Sequence, residues 1–376
     1  MKNKRTAARR PGKSVLFAAV ALLFGLLTAF SRPCAAGAQA ALERCGSTLI
    51  PSLFPFLVLC GFTVRCGFAQ RCGRFFAPLT RILFCLPGCT AAVILTAWIG
   101  GYPVGARGIR SLLDQGAITE EQAARMSCFC VGAGPGFLVA AVGEGIFHST
   151  ALGLLLLAAQ IFSALALGVV TGISARRKEG LPMEKAVAAH PEPAGEALVA
   201  AVADGTQAML SLCAFVVLFG AFLGLCSQLR LPALLAAALK PLGVPISAGI
   251  ALLPVLLEVC SGTAAAAASA ETAIFLTAFT LGWGGLCVHF QIFSILGRTP
   301  YSRARFFFFR FLHGMLSGTV SALLSVLLPV GGISAVSGSP AAFQVSGGLP
   351  LTLALLLMIF IFLYSVPSGV EIRKEK

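Results

Sequence analysis

Long apolar runs alternate with short polar or basic segments along nearly the whole chain. Several runs approach the roughly 20 residues that an α-helix needs to cross the hydrocarbon core of a bilayer, and others are shorter. The runs are residues 14–30, 50–64, 89–99, 151–173, 209–225, 273–296, 315–330 and 349–366. The pattern predicts an all-α polytopic membrane protein with roughly 8–10 membrane segments, in which the shorter runs form broken or re-entrant helices.

Two short patches break the apolar pattern at corresponding places in the two halves of the chain. They are residues 100–107 (GGYPVGAR) and residues 257–262 (LEVCSG). Each follows an apolar run and combines glycine with a polar or charged group. Interrupted segments at matching positions are the sequence feature that best marks a solute site near the bilayer midplane. We therefore expect both breaks to line such a site.

A hydrophilic segment with no apolar period joins the two halves. A basic start and the run 14–30 are also compatible with a signal peptide, but the run is long and many spans follow, so we expect a retained first span. The expected units are a basic segment with the first transmembrane helix (1–41), a first repeat (42–173), a polar cytoplasmic linker (174–197), a second repeat (198–330), and a loop with the last transmembrane helix and a basic tail (331–376).

One stretch within the first repeat, residues 106–126, is too charged to lie in lipid. It predicts a hairpin of two short amphipathic helices. Thr119 is a suitable N-cap for the second helix, because Glu120, Glu121 and Gln122 follow in its first turn.

Composition and charge agree with a membrane protein. Hydrophobic residues make up 57% of the chain and charged residues 11%, whereas a soluble domain carries about 25% charged residues. The net charge of +14 is concentrated at the ends of apolar runs, which is the positive-inside pattern. This pattern predicts a multi-pass protein of the cell membrane with both termini in the cytoplasm, and it favours anionic lipid headgroups over nucleic acid as partners of the charge.

Residues suited to metal or covalent chemistry are present but not grouped. The 13 cysteines form no C-x-x-C pair, and the four histidines are scattered. We find no nucleophile with its base, no phosphate-binding loop and no dinucleotide fingerprint. The sequence therefore predicts no enzyme activity, no cofactor and no metal site, and it leaves a coupling cation open.

Several motifs resemble those of YlbJ-type sporulation integral membrane proteins. They are residues 101–106 (GYPVGA), the segment from Cys130 to Gly134 and Pro135, residues 51–56 (PSLFPF) and residues 258–262. The resemblance extends from about residue 42 to about residue 328. It implies a nucleoside-recognition Gate domain, similar to gate segments of concentrative nucleoside transporters and ferrous-iron transport proteins. The two repeats are then gate-like, and the protein is linked to sporulation.

Three asparagine side chains that are usual in that family are missing here. Where its members usually carry two asparagines after the cysteine, this chain has Val131 and Gly132. The second-half motif usually runs Glu-Ile-Thr-Asn-Gly, and here Ser261 replaces the asparagine. Asparagine both donates and accepts hydrogen bonds toward a polar base or ribose. Hydrogen bonds to a nucleoside would then come from backbone groups and Ser261.

Seven residues are the candidates for binding solute: Tyr102, Pro103, Gly134, Pro135, Glu258, Ser261 and Gln291. A carboxylate within apolar sequence is costly, so Glu258 is expected to bind a hydroxyl, a cation or a proton. The alternative for Glu258 is a structural ion pair with Lys240 or Arg107. Pro103 frees a backbone carbonyl, which faces either a cavity or a packed kink.

The last candidate, Gln291, lies two residues after His289. On a helix the two side chains point in different directions, so at most one faces a given cavity. Helix–helix hydrogen bonding is the alternative for both. Residues 306–309 (FFFF), between Arg305 and Arg310, are expected to anchor a span at the membrane interface.

Two functions from different classes remain open. The first is a transporter or solute-binding protein whose two broken-helix repeats surround a nucleoside-like solute. The second is a non-transporting scaffold that holds sporulation membrane partners, or a second copy of itself, during formation of the spore envelope or cortex. The missing amides favour the scaffold, and the retained Glu258 and Tyr102–Pro103 break favour solute binding.

Overall fold

The computed structural model describes residues 13–182, 191–297 and 302–328. The basic start of the chain, the last expected span at 349–366 and the basic tail lie outside the described residues. The helices of the first half are α1 (Lys13–Ala29), α2 (Ser31–Arg44), α3 (Ile50–Arg65), α4 (Phe68–Phe84), α5 (Thr90–Gly100), α6 (Tyr102–Asp114), α7 (Glu120–Ser127) and α8 (Thr150–Glu179), with π-helical turns at Cys45–Leu49 and Gly136–Glu144. Those of the second half are α9 (Ala194–Gln228), α10 (Leu231–Leu239), α11 (Ile246–Leu257), α12 (Val259–Ala267), α13 (Ala273–Trp283), α14 (Gly285–Leu296) and α15 (Arg303–Leu327).

The described residues are helical throughout, with irregular connections and no strand. Five helical stretches are long and apolar enough to cross a membrane: Ser31–Arg65, Thr150–Lys178, Ala194–Gln228, Ala270–Leu296 and Arg303–Leu327. Four shorter apolar helices accompany them: Val20–Ala29, Thr90–Gly100, Leu231–Leu242 and Ile246–Leu257. The predicted all-α polytopic fold is confirmed.

The order of elements in the second half parallels that in the first. Each half has a helical stretch of membrane length that ends with α3 or consists of α9, then a connecting helix (α4 or α10), then a pair of half-helices (α5 with α6, or α11 with α12). A second interrupted segment and another long helix (α8 or α15) complete each half. The expected boundary at residue 42 falls within the continuous helical stretch Ser31–Arg65.

Two ends of the expected polar linker are helical. Helix α8 continues through the basic residues 176–178 to Glu179, and α9 begins at Ala194. The predicted hairpin in the first half is formed by α6 and α7. Its second helix begins with a capping box: the Gln122 N–H donates to Thr119 Oγ1 over 3.2 Å, and the Thr119 N–H donates to Gln122 Oε1 over 2.9 Å.

Glycine brings several helix pairs into backbone contact. On α2, a Cβ added to Gly37 would overlap the carbonyl oxygen of Gly220 on α9. On α13, a Cβ added to Gly282 would lie 2.6 Å from the Cα atom of Gly314 on α15. Lipid tails are as apolar as leucine, so close packing of small residues, rather than exclusion of water, holds such helices together.

The contact between α2 and α9 gives a first prediction. We expect Gly37→Ala to lower stability by about 1–3 kcal/mol, because the added methyl group forces two backbones apart. The midpoint of thermal unfolding of the detergent-purified protein measures the effect. Gly46→Ala is the matched control, since no atom lies within 4 Å of a Cβ at that position. Equal midpoints for the two variants would show that this contact does not hold the helices.

Candidate functional site

Four interruptions of helices meet in the interior. The first, between α5 and α6, turns at Gly101, whose φ of +83° is readily adopted only by glycine. The next is the irregular segment before the π-helical turn Gly136–Glu144, and the third is the extended residue Glu258 between α11 and α12. The fourth, between α13 and α14, turns at Gly284 and Gly285, with φ of +86° and +71°. Proline at the second position of α6 is tolerated because N–H groups in a first turn need no intrahelical acceptor.

A small cavity of about 30 Å³ lies where these interruptions converge. Its lining includes residues from all four interruptions, among them Gly101, Gly134, Cys260 and Cys287. The first turns of α6, α12 and α14 border it, and the N-terminal ends of helices carry partial positive charge. The volume suffices for about one water molecule and is far below the roughly 300 Å³ of a small-molecule pocket. The cavity is therefore too small for a nucleoside-sized solute in this conformation.

Four of the seven predicted site residues line this central cavity. They are Tyr102, Pro103, Gly134 and Gln291. The other three, Pro135, Glu258 and Ser261, lie beside it without lining it. The sequence motifs thus converge on one place, but their side chains have different tasks there.

Gln291 is one of the residues that line the cavity, whose surface is almost entirely apolar. It is 5% exposed, and no hydrogen-bond partner for its amide lies among the described residues. His289 points elsewhere: its ring stacks on Phe307 with 4.8 Å between centroids, and its centroid lies 4.3 Å from that of Trp283. The expectation that only one of the pair faces a given cavity holds. A buried amide without partners is a group that a polar solute can satisfy.

Glu258 is fully buried, and its carboxylate caps the start of α12. The Cys260 N–H donates to Oε1 over 2.8 Å, and the Ser261 N–H donates to Oε2 over 2.6 Å. The described contacts of Glu258 include neither Lys240 nor Arg107, which were its expected partners if it had a structural role. Both oxygens accept hydrogen bonds from the first turn of α12. Glu258 therefore holds the start of this helix in place and does not itself line the cavity.

Two further predicted residues also bind protein groups. Tyr102 donates its hydroxyl hydrogen to the carbonyl oxygen of Leu281 over 2.5 Å, which ties the first break to the end of α13. Ser261 accepts a hydrogen bond from Arg44 Nη2 over 2.9 Å. In a related contact, Trp283 Nε1 donates to the carbonyl oxygen of Leu256 over 3.2 Å and joins the ends of α13 and α11. These contacts fix the interruptions relative to one another.

Arg310 is the functional residue that sequence analysis missed. It was expected at the membrane interface, but it is 1% exposed and donates hydrogen bonds to the carbonyl oxygens of Val131 and Gly282. Its Nη1 also lies 3.0 Å from His313 Nδ1, and His313 Nε2 lies 3.2 Å from the Gln160 carbonyl oxygen. Since a carbonyl only accepts, Nε2 carries the proton and Nδ1 accepts from Arg310.

A signal for Arg310 was present in the sequence. Arg310, His313, Ser317 and Ser321 follow one another at spacings of three and four, so they share one face of an otherwise apolar helix. All four are buried. A polar stripe within a span points to the protein interior, whereas interface anchors gather at its end. Phe306 is buried as well, and only Phe308 of the aromatic run is largely exposed.

The fold and the site define a polytopic α-helical membrane protein built around interrupted helices. Over 337 residues the chain is 27% identical to the sporulation integral membrane protein YlbJ of Bacillus subtilis (strain 168), and the match covers 83% of each chain. This similarity confirms the resemblance indicated by the motifs. No protein-family model matches the chain, and no solved structure matches it. The Gate domain stays a prediction.

Removal of one carboxylate oxygen tests the cap on α12. We expect Glu258→Gln to lower stability by about 1–3 kcal/mol, because the amide nitrogen cannot accept and one N–H of the first turn is left buried without a partner. The measurement is the midpoint of thermal unfolding in detergent. Glu144→Gln, at an exposed glutamate, is the control. An unchanged midpoint for Glu258→Gln would contradict the capping role.

Arg310 is tested by a change that keeps its charge. We expect Arg310→Lys to lower stability by about 1.5–3 kcal/mol, because an ammonium group lacks the planar fork that reaches two carbonyl groups at once. Unfolding in detergent again measures the loss. Arg303→Lys replaces an exposed arginine at the start of the same helix and is expected to have little effect. If both variants unfold like the unaltered protein, the fork does not hold the interruptions.

Proposed function

We propose that this protein binds a small, polar, nucleoside-like solute at the central cavity and moves it across the membrane. The observation that carries the proposal is Gln291, which is 5% exposed, lines the cavity and has no side-chain hydrogen bond to the described residues. An amide donates and accepts at once, as the edge of a nucleobase does. The nucleoside-like class follows from the family resemblance.

The arrangement of breaks supports movement as well as binding. Helix interruptions from both halves line one small site, as in transporters that expose a midplane site alternately to each side. The cavity is too small for a nucleoside in this conformation, so entry requires the halves to separate. The basic segments at the ends of apolar runs favour a cytoplasmic position for both termini.

A second candidate is a membrane scaffold in formation of the spore envelope or cortex. The relative is named for sporulation. Val131 and Gly132 stand where the family usually has amides, and the volume of the central cavity is only about 30 Å³. In this candidate the interrupted helices serve only to build a surface that partners recognise.

A thermal-shift screen of the detergent-purified protein against nucleosides, nucleobases and simple cations separates the two candidates. A ligand at 100 times its dissociation constant stabilises its protein by about 2.7 kcal/mol. We expect a nucleoside-dependent shift that Gln291→Leu removes and that Gln39→Leu, at an exposed glutamine on α2, retains. Uptake into proteoliposomes then tests movement. A flat response from folded protein, or a shift that survives in Gln291→Leu, would contradict binding at this cavity.

A further inference from the structure

A second and much larger cavity lies on the other side of the wall formed by Leu57 and Pro103. Its volume is about 610 Å³, within the range of about 300–1,000 Å³ found for small-molecule sites. Helices α3, α4, α5, α6 and α9 contribute its lining. Leu57 and Pro103 also line the central cavity, so the two spaces are neighbours but distinct. We call this space the outer cavity.

Three arginines line the outer cavity, and only one of them forms ion pairs with carboxylates among the described residues. Arg65 binds the carboxylates of both Glu192 and Asp204, each over 2.6 Å. Arg107 donates to the main-chain carbonyl oxygen of Asp204 over 3.0 Å and forms no ion pair among the described residues, although the Asp204 carboxylate interacts with its charge. Arg74 has no ion pair there either. Two guanidinium groups are thus left for an anion, and guanidinium binds phosphate with paired hydrogen bonds.

The wall that carries Arg74 has the form of a helix that lies in the membrane interface. Along α4, the large apolar side chains of Phe68, Phe75 and Ile82 are exposed by 58%, 82% and 60%. Arg71 and Arg74 are exposed on the same helix. An amphipathic helix of this kind buries its apolar face at the boundary of headgroups and acyl chains, with its basic residues at headgroup depth. The charged part of the outer cavity therefore lies where lipid phosphates are found.

The remainder of the lining includes the polar residues Gln70, Ser111, Gln115 and Asp204, the last paired with Arg65, and is otherwise apolar or small. Val64, Ala77, Val93 and Ala208 are among the apolar or small residues, and Thr96 adds a hydroxyl that is already bonded to the Ala92 carbonyl oxygen over 2.8 Å. A free phosphate ion gains nothing from contact with apolar surface, whereas the glycerol and upper acyl region of a lipid buries that surface. The lining thus suits a ligand with an anionic head and an apolar body.

We propose that the outer cavity is a binding site for an anionic phospholipid, with its phosphate held by Arg74 and Arg107. This site is separate from the solute site of the proposed function. It gives the basic surface of α4 a specific ligand in addition to general attraction to the membrane. The lipid fills a space between α4 and the helices of both halves, and so joins the connecting helix to the rest of the protein.

Native mass spectrometry of the full chain tests this site, with phosphatidylglycerol and phosphatidylcholine of identical acyl chains as probes. We expect the unaltered protein to retain one phosphatidylglycerol, several-fold more than phosphatidylcholine, after detergent is stripped. Arg74→Gln and Arg107→Gln should each lower that retention about fivefold, since a basic residue near a lipid surface contributes about 1 kcal/mol. Arg71→Gln, on the same helix but outside the cavity, should change it less than twofold.

A steric variant tests the cavity without changing its charge. Ser111 lines the outer cavity and is exposed, so Ser111→Trp should fold and should block phosphatidylglycerol retention by occupying the space. Equal retention in all variants would overturn the proposal, and so would an Arg71→Gln loss as large as that of Arg74→Gln. Competition by inorganic phosphate at millimolar concentration would show a site for the free ion and overturn the assignment to lipid.

Discussion

A helix that stops inside a bilayer leaves carbonyl and N–H groups that water does not reach, and the rest of this structure depends on how they are satisfied. Arg310 satisfies two of the carbonyl groups, because its guanidinium group donates hydrogen bonds to the carbonyl oxygens of Val131 and Gly282 on different interrupted segments. Glu258 accepts hydrogen bonds from two N–H groups at the start of α12. The hydroxyl of Tyr102 donates a hydrogen bond to a third carbonyl group, that of Leu281. These side chains hold the broken ends together and define the central cavity.

The residues that hold the interrupted helices in place differ from the residues that are available to a solute. Glu258 has the features of a solute ligand, since it is a buried carboxylate at a helix break. Both of its oxygens are nevertheless committed to the protein. Gln291 lies on an unbroken helical stretch and has a modest sequence signature, yet it lines the cavity and its amide has no hydrogen bond to the described residues. An ionisable residue inside a membrane is a functional candidate by default, and here the contacts of Glu258 assign it to the backbone of α12 instead.

Much of the fold follows from the sequence, and the reasons are local. Apolar length predicts the long helices, the pair Gly101 and Pro103 predicts the first break, and Thr119 with Gln122 predicts the start of α7. These signals act within a few residues. The partners of Glu258 and Arg310 could not be predicted in the same way, because a polar residue can bind a nearby main chain or a distant side chain. Arg310 was misplaced because basic residues near the start of a span usually mark the membrane interface.

The contact of Trp283 with α11 has a spectroscopic consequence. The chain has two tryptophans. Trp283 ends α13 beside the break at Gly284, and Trp98 lies in α5 three residues before the break at Gly101. Each half of the protein therefore carries one intrinsic fluorophore next to an interruption. With one indole replaced by phenylalanine, emission from the other reports the polarity around a single break, so opening of the two halves can be followed separately without an added dye.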